Sequence, residues 1–219
     1  MSLSELWSLY GQNYIDALLA TWGMTLESFA IAMVLAVAVT VMRVSPLKPL
    51  RVFGDLYVQV FRNIPGIALL IIVVYALPPL KVVLPYRTCV IVATVLLGSA
   101  FGSEIFMSGI NTVGVGQVEA ARSLGMSFSR ILAKIVIPQA LRSSVLPMTN
   151  LFIAVMLTTA LGSQVPLKPQ ELTGVVSYIN TRSLGGVVAF FISALGYLGT
   201  AFVVSHIGNY IDKKVRILR

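Results

Sequence analysis

Few side chains in this sequence are equipped for chemistry, and those that are sit singly inside long apolar runs. Glu104 is the only carboxylate deep within a stretch that is otherwise small and apolar. An isolated charge placed in lipid costs about 2.5 to 3.5 kcal/mol on insertion scales, so Glu104 must face a protein interior or the headgroup region. It is read either as a contact for a substrate ammonium or a gate, or as half of a structural ion pair with Arg62, which falls at the same depth. Asn150, Thr158, Thr159 and Ser163 recur at a spacing that lets several share a helix face, and polar side chains in such a setting turn toward protein or a cavity. Cys89 and His206 are the sole residues of their types. One thiol and one imidazole give no metal set and little material for a nucleophile with its base. Cys89 reads as a buried thiol without an internal disulfide partner, and His206, beside Tyr210 and Asp212, as a headgroup-level residue. No Gly-x-x-x-x-Gly-Lys-Ser/Thr loop occurs, so the chain has no phosphate cradle of its own. The expectation is a non-enzyme that binds neither metal nor cofactor.

The elements that position these residues belong in a bilayer. Of 219 residues 57% are hydrophobic and 11% charged, with a mean hydropathy of +0.90, a balance that excludes an ordinary water-soluble domain. Apolar stretches long enough to cross about 30 Å of hydrocarbon run over Gly23 to Met42, Ile64 to Leu84, Thr88 to Met107, Ser143 to Gly162 and Gly185 to Ile207. Lipid leaves them only helix as an option. The fold expected is therefore an all-α integral membrane bundle of five transmembrane helices in a single domain, 1–219. Pro85 to Arg87 makes the second and third spans a tight hairpin. Pro65, Pro78 and Pro79 cap or kink the second. Gly98, Ser99, Ala100, Gly102 and Ser103 form a small-residue strip that lets helices approach closely.

The net charge of +8 is not gathered on one face with interleaved aromatics, so it does not point to nucleic acid. Twelve of the sixteen Lys and Arg residues fall in alternate loops and the tail: Arg43, Lys48, Arg51 and Arg62; Arg122, Arg130, Lys134 and Arg142; Lys213, Lys214, Arg216 and Arg219. The excess of positive charge on cytoplasmic loops then predicts an outer N-terminus and a cytoplasmic C-terminus. Met1 to Asp16 holds Glu5 and Asp16 and no basic residue, so a retained first span is expected rather than a cleaved signal peptide.

The segment 109–142 is too polar to span. Gly114-Val115-Gly116-Gln117 opens it as a turn, and Val118 to Leu124 reads as two helical turns with Glu119 where it complements the helix dipole. Gly125 ends that helix. Phe128, Ile131, Leu132 and Ile135 then mark an amphipathic helix expected to stop near Pro138. Glu119-Ala120-Ala121, three residues, Gly125, nine residues, Ile135, one residue and Ile137-Pro138 resemble the coupling loop of ABC importer permeases, with Ile137 where Leu is usual. The resemblance covers nearly the whole chain and narrows to the polar amino-acid uptake subfamily. Tyr57 to Pro65 is similar to that subfamily's entry into the second span. Ser103-Glu104-Ile105-Phe106 resembles its third span, with Met107 in place of the usual Arg, and Gly116-Gln117 and Glu171-Leu172 are also typical.

What the resemblance implies is the membrane subunit of an ATP-driven importer of polar amino acids in the bacterial inner membrane, of the type I permease fold. Gly116, Gln117, Glu119, Ala120, Ala121, Arg122 and Gly125 would couple to a cytoplasmic ATPase dimer, Glu119 and Arg122 by polar contacts and Ala120, Ala121 and Gly125 by allowing close approach. Arg62, Asn63, Pro65, Glu104, Thr158, Thr159 and Leu161 would line the substrate path. ATP and Mg would be used by the partner, a second permease subunit would complete the path, and an extracytoplasmic amino-acid-binding protein would deliver substrate. The subfamily often carries Lys-Asp-Thr-Ser-Leu where this chain has Leu157-Thr158-Thr159-Ala160-Leu161. The missing acid argues against a cationic substrate and toward glutamate or glutamine. The competing class, an ion-gradient-driven carrier, would show several midplane ionisable groups or two repeated halves, and neither stands out here.

Overall fold

The computed structural model describes residues 2–182 and 185–215, all helix, turn or irregular backbone, with no strand among them. Arg216 and Arg219, counted above among the cytoplasmic charges, lie outside the described residues. Ser2 opens the first helix, α1 (Leu3–Arg43), through a reciprocal capping box with Glu5. At 41 residues this helix is about 60 Å long. The N-terminal stretch expected to precede the first span is thus the same rod. Its second acid is accommodated locally, since Asp16 accepts a hydrogen bond from the Gln12 amide at 2.9 Å.

The helix α2 (Lys48–Asn63) meets α3 (Gly66–Ile71) at a bend of 103°. The cause is Pro65: it has no N–H to donate, and it drives Ile64 to extended backbone at φ −82°, ψ 127°. The α3 path continues as a π-helical turn, Ile72–Ala76, and a 3₁₀ turn, Pro78–Leu80, before Lys81 reverses it at φ 63°. Among the described residues four helices, α1, α4 (Tyr86–Asn111), α8 (Val145–Thr158 with its 3₁₀ extension to Gln164) and α10 (Gly186–Val215), are long and apolar enough to cross a membrane. A fifth crossing exists only if Lys48–Asn63 and Gly66–Leu80 are taken as one bent span.

Between α4 and α8 lie α5 (Val115–Ser123), α6 (Phe128–Ile131) and α7 (Ile137–Ser143). Pro138 does not stop this segment as expected. A π-helical turn over Leu132–Val136 leads directly into α7, and this wider turn immediately ahead of Pro138 lets the helix run on past the proline. Between α8 and α10 lies α9 (Leu172–Asn180), a helix that the hydropathy pattern did not separate from its surroundings.

The bundle is organised around α1 and α4. Their small-residue strip brings backbones together: a Cβ on Gly102 would come within 2.9 Å of the Ala36 Cβ and the Met33 Cε. Ion pairs pin the two helices at two levels, Glu27 to Arg87 at 2.7 Å and Arg43 to Glu104 at 3.2 Å. Cores of Met24, Leu70, Val90 and Ala93 under α3, and of Leu6, Tyr14, Val175 and Ala189 around α9, complete the packing.

Candidate functional site

Two places in this fold gather the candidate side chains: a cavity beside the α2–α3 bend and the loop formed by α5 to α7. The cavity, about 620 Å³, is bounded by the end of α2, the start of α3, the middle of α4 and the last turns of α8. Pockets of roughly 300 to 1,000 Å³ hold small molecules. The wall is mostly apolar, with Leu97, Phe101, Leu157 and Leu161, and four side chains bring polar atoms: Arg62, Thr94, Thr158 and Gln164. No carboxylate is in its lining. Thr158 is tied to its own helix, donating to the Ala154 carbonyl at 2.8 Å. Thr94 is different. Its hydroxyl is buried behind the cavity wall and has no hydrogen-bond partner within the protein, an arrangement that costs about 1 to 3 kcal/mol.

Of the residues assigned to a substrate path, Arg62, Thr158 and Leu161 line this cavity. Asn63 and Pro65 form the break beside it, with the Asn63 amide turned back onto the Gln59 carbonyl at 2.6 Å. Thr159 is fully buried off the cavity and donates to the Met156 carbonyl. Glu104 is not in the lining either. It sits one layer behind, its Oε2 3.2 Å from Arg62 Nη1 and 3.2 Å from Arg43 Nη1, so the ion-pair reading of Glu104 with Arg62 holds. Arg43 in turn donates to Asp55 at 2.9 Å and to the Ser103 hydroxyl at 3.3 Å. Thr94 and Gln164 were missed in the sequence because nothing marks a hydroxyl as unpartnered until its neighbours are known.

In the loop, Gly125 adopts φ +73° and closes α5, with the Gly125 N–H on the Arg122 carbonyl and the Met126 N–H on the Ala121 carbonyl. Glu119, Ala120 and Arg122 are exposed, and beside them Leu124, Phe128 and Val115 present apolar side chains to solvent. Gly116 and Gln117 are exposed as well, and the Gln117 side chain accepts from the Gln139 amide at 2.7 Å, tying α5 to α7. Ala121 faces the other way. It is buried against Val113, Ile131 and Val136, so its small size serves packing inside the loop. The knob is joined to α4 through Thr112, Val113 and Gly114 and to α8 through Ser144 at the end of α7, which packs beside Gly109 of α4.

One further carboxylate is fully buried. Glu171 caps α9, accepting from the Thr173 and Gly174 N–H groups at 2.6 Å each and from the Tyr197 hydroxyl of α10 at 2.9 Å. Burial pushes its carboxyl above the usual range, against the pull of those hydrogen bonds. Its role is to lock α9 between α1 and α10, where the Leu172 N–H also donates to the Thr21 hydroxyl at 3.1 Å.

Comparison with known proteins gives a consistent picture. Residues 28–217 match the family described as binding-protein-dependent transport system inner membrane component. The glutamate transport system permease protein GluC of Corynebacterium efficiens is 33% identical over 90% of this chain and 91% of its own length. The L-cystine transport system permease protein TcyB of Bacillus subtilis is 31% identical, covering 95% and 91%. The probable glutamine ABC transporter permease protein GlnM of the same organism is 31% identical, covering 97% and 96%. Among solved structures, the crystal structure of an amino acid ABC transporter with histidines superposes with a TM-score of 0.90 at 25% identity, over 98% of this chain and all of that one. The inward-facing MetNI methionine ABC transporter shares the fold at a TM-score of 0.71 and 20% identity, over 99% of this chain and all of that one. With a body of long apolar helices and this match, the chain belongs to the binding-protein-dependent transport system inner membrane components, the multi-pass permeases of ABC importers.

Proposed function

We propose that this chain is the translocating permease of a bacterial ABC importer for neutral or acidic amino acids, and that the cavity between Arg62 and Gln164 lies on its substrate path. The observation that carries the reading is the polar content of that cavity: one guanidinium, the Gln164 amide and no acid. An α-carboxylate is complementary to Arg62, and the Gln164 amide suits an ammonium or side-chain amide. A second cation, by contrast, finds no counter-ion there. The relatives whose names specify glutamate, glutamine and cystine agree with this class.

In the same reading the loop from Val115 to Ser143 docks on a cytoplasmic ATPase dimer, which binds and hydrolyses the ATP with Mg. Exposed Leu124 and Phe128 beside Glu119 and Arg122 support it as an apolar contact rimmed by charge. The C-terminus is cytoplasmic and the N-terminus outside. A second permease, identical or homologous, closes the path, and an extracytoplasmic binding protein feeds it.

The test is ATP-dependent uptake of labelled L-glutamine or L-glutamate by cells carrying the complete importer. Excess unlabelled glutamate, glutamine or cystine is expected to compete and excess arginine is not. Competition by arginine alone would overturn the substrate class.

A further inference from the structure

Arg62 faces two ways. Its side chain lines the cavity, yet its Nη1 lies 3.2 Å from Glu104 Oε2. Its guanidinium carbon stands 5.3 Å from the centre of the Phe101 ring, and Phe101 lines the same cavity. Glu104, meanwhile, holds two cations on one oxygen, and they are not equivalent. Arg43 is 12% exposed and anchored by Asp55 and Ser103, whereas the Arg62 side chain is 39% exposed and is held only through Glu104 and the aromatic face. If Arg62 leaves, Glu104 keeps Arg43 as a partner, which it then shares with the half-exposed Asp55, so the acid is not left wholly unpaired. The departing pair is itself partly exposed, and such pairs are weak.

We propose that Arg62 is an exchangeable latch: it holds Glu104 while the cavity is empty and turns to the carboxylate of an amino acid when one enters. This rests on the cavity being the substrate site. The consequence is a link from occupancy to the ATPase-facing loop. Arg62 ends α2 directly before the 103° bend, and Glu104 rides on α4, which ends at Asn111, just before α5 begins at Val115. Releasing the pair removes one tie between the end of α2 and the helix that leads into the knob, leaving the Tyr57–Ser99 hydrogen bond further up as a pivot. Because Glu104 and the ligand carboxylate compete for one guanidinium, weakening either must strengthen the other's hold on it.

The test is equilibrium binding to the purified permease–ATPase complex without its binding protein, using labelled L-glutamine, L-glutamate and L-cystine and following whichever wild type binds tightest. Glu104→Gln is expected to tighten binding by roughly two- to fivefold, the range a partly exposed ion pair supports. Arg62→Gln is expected to weaken it and, in that background, Glu104→Gln to change nothing, a coupling that a double-mutant cycle reads directly. Arg62→Lys keeps a cation and is expected to preserve part of the tightening. Where Glu104→Gln fails to assemble, the shorter Glu104→Asp tests the same direction. A merely structural pair predicts that Glu104→Gln weakens binding or leaves it unchanged, and that result, or equal tightening without Arg62, would overturn the latch alone. Absence of binding by all three amino acids in wild type would overturn the cavity reading and the latch with it.

Discussion

At the scale of single residues, the side chains that matter are those whose environment does not match their chemistry. Thr94 is the sharpest case, a buried hydroxyl without a partner just behind the wall of a cavity. Thr94→Val keeps the shape and removes an unsatisfied polar group, so thermal stability should hold or rise, by at most the about 1 to 3 kcal/mol such a group costs, with uptake kinetics little changed. A lower melting temperature in that variant would show that the hydroxyl is satisfied in the folded protein. Glu171 behaves oppositely, with every hydrogen bond made internally. Because burial raises its carboxyl in the folded state, the folded chain holds that proton more tightly than the unfolded chain does. This contribution to stability is fully present below the unfolded carboxylate value of about 4.3 and is lost as pH rises through the higher folded value. Melting temperature against pH in detergent should therefore show a falling component above pH of about 4.3 that is absent in Glu171→Gln. Glu104 and Arg62 were legible as a pair from the sequence because a lone acid in an apolar run demands a cation at its own depth. Arg43 as the second partner was not, since its pairing depends on how the loop to α2 turns back.

At the scale of elements, composition and proline placement gave most of the helices, and their failures have local causes. The long α1 was underestimated because a capping box at Ser2 and Glu5 and a self-satisfied Asp16 hide a helix inside a polar-looking terminus. Pro138 reads as a stop in the sequence, and the chain passes it because a π-helical turn over Leu132–Val136 opens the helix just ahead of it. Helix α9 escaped notice because its N-cap is a glutamate, an unusual capping residue whose fit depends on Tyr197 far along the chain. The α1–α4 contact is the element pair most sensitive to change. Gly102→Leu pushes into Ala36 and Met33 and should destabilise the solubilised chain by about 1 to 3 kcal/mol, the usual cost of overpacking, visible as a lower melting temperature. In the knob, a β-branched side chain is a severe misfit at the positive φ of Gly125. Gly125→Val is expected to leave membrane insertion intact and to abolish substrate-stimulated ATP hydrolysis, measured on membranes containing the importer. Full stimulation in that variant would separate α5 from coupling.

At the scale of the whole molecule, the chain is a scaffold that puts a small polar-lined cavity within one helix of an exposed helical knob, and it carries no phosphate-binding loop of its own. That division of labour explains why chemistry is sparse and packing is elaborate: the energy is to be supplied by another chain and the work is conformational. The measurement that tests this most directly is amino-acid uptake into proteoliposomes holding the complex purified through this chain, with binding protein added outside and ATP enclosed or omitted. Uptake of glutamine, glutamate or cystine that needs enclosed ATP and a co-purifying ATPase is the result expected. Uptake by the chain alone, indifferent to ATP and driven by an imposed ion gradient, would contradict it.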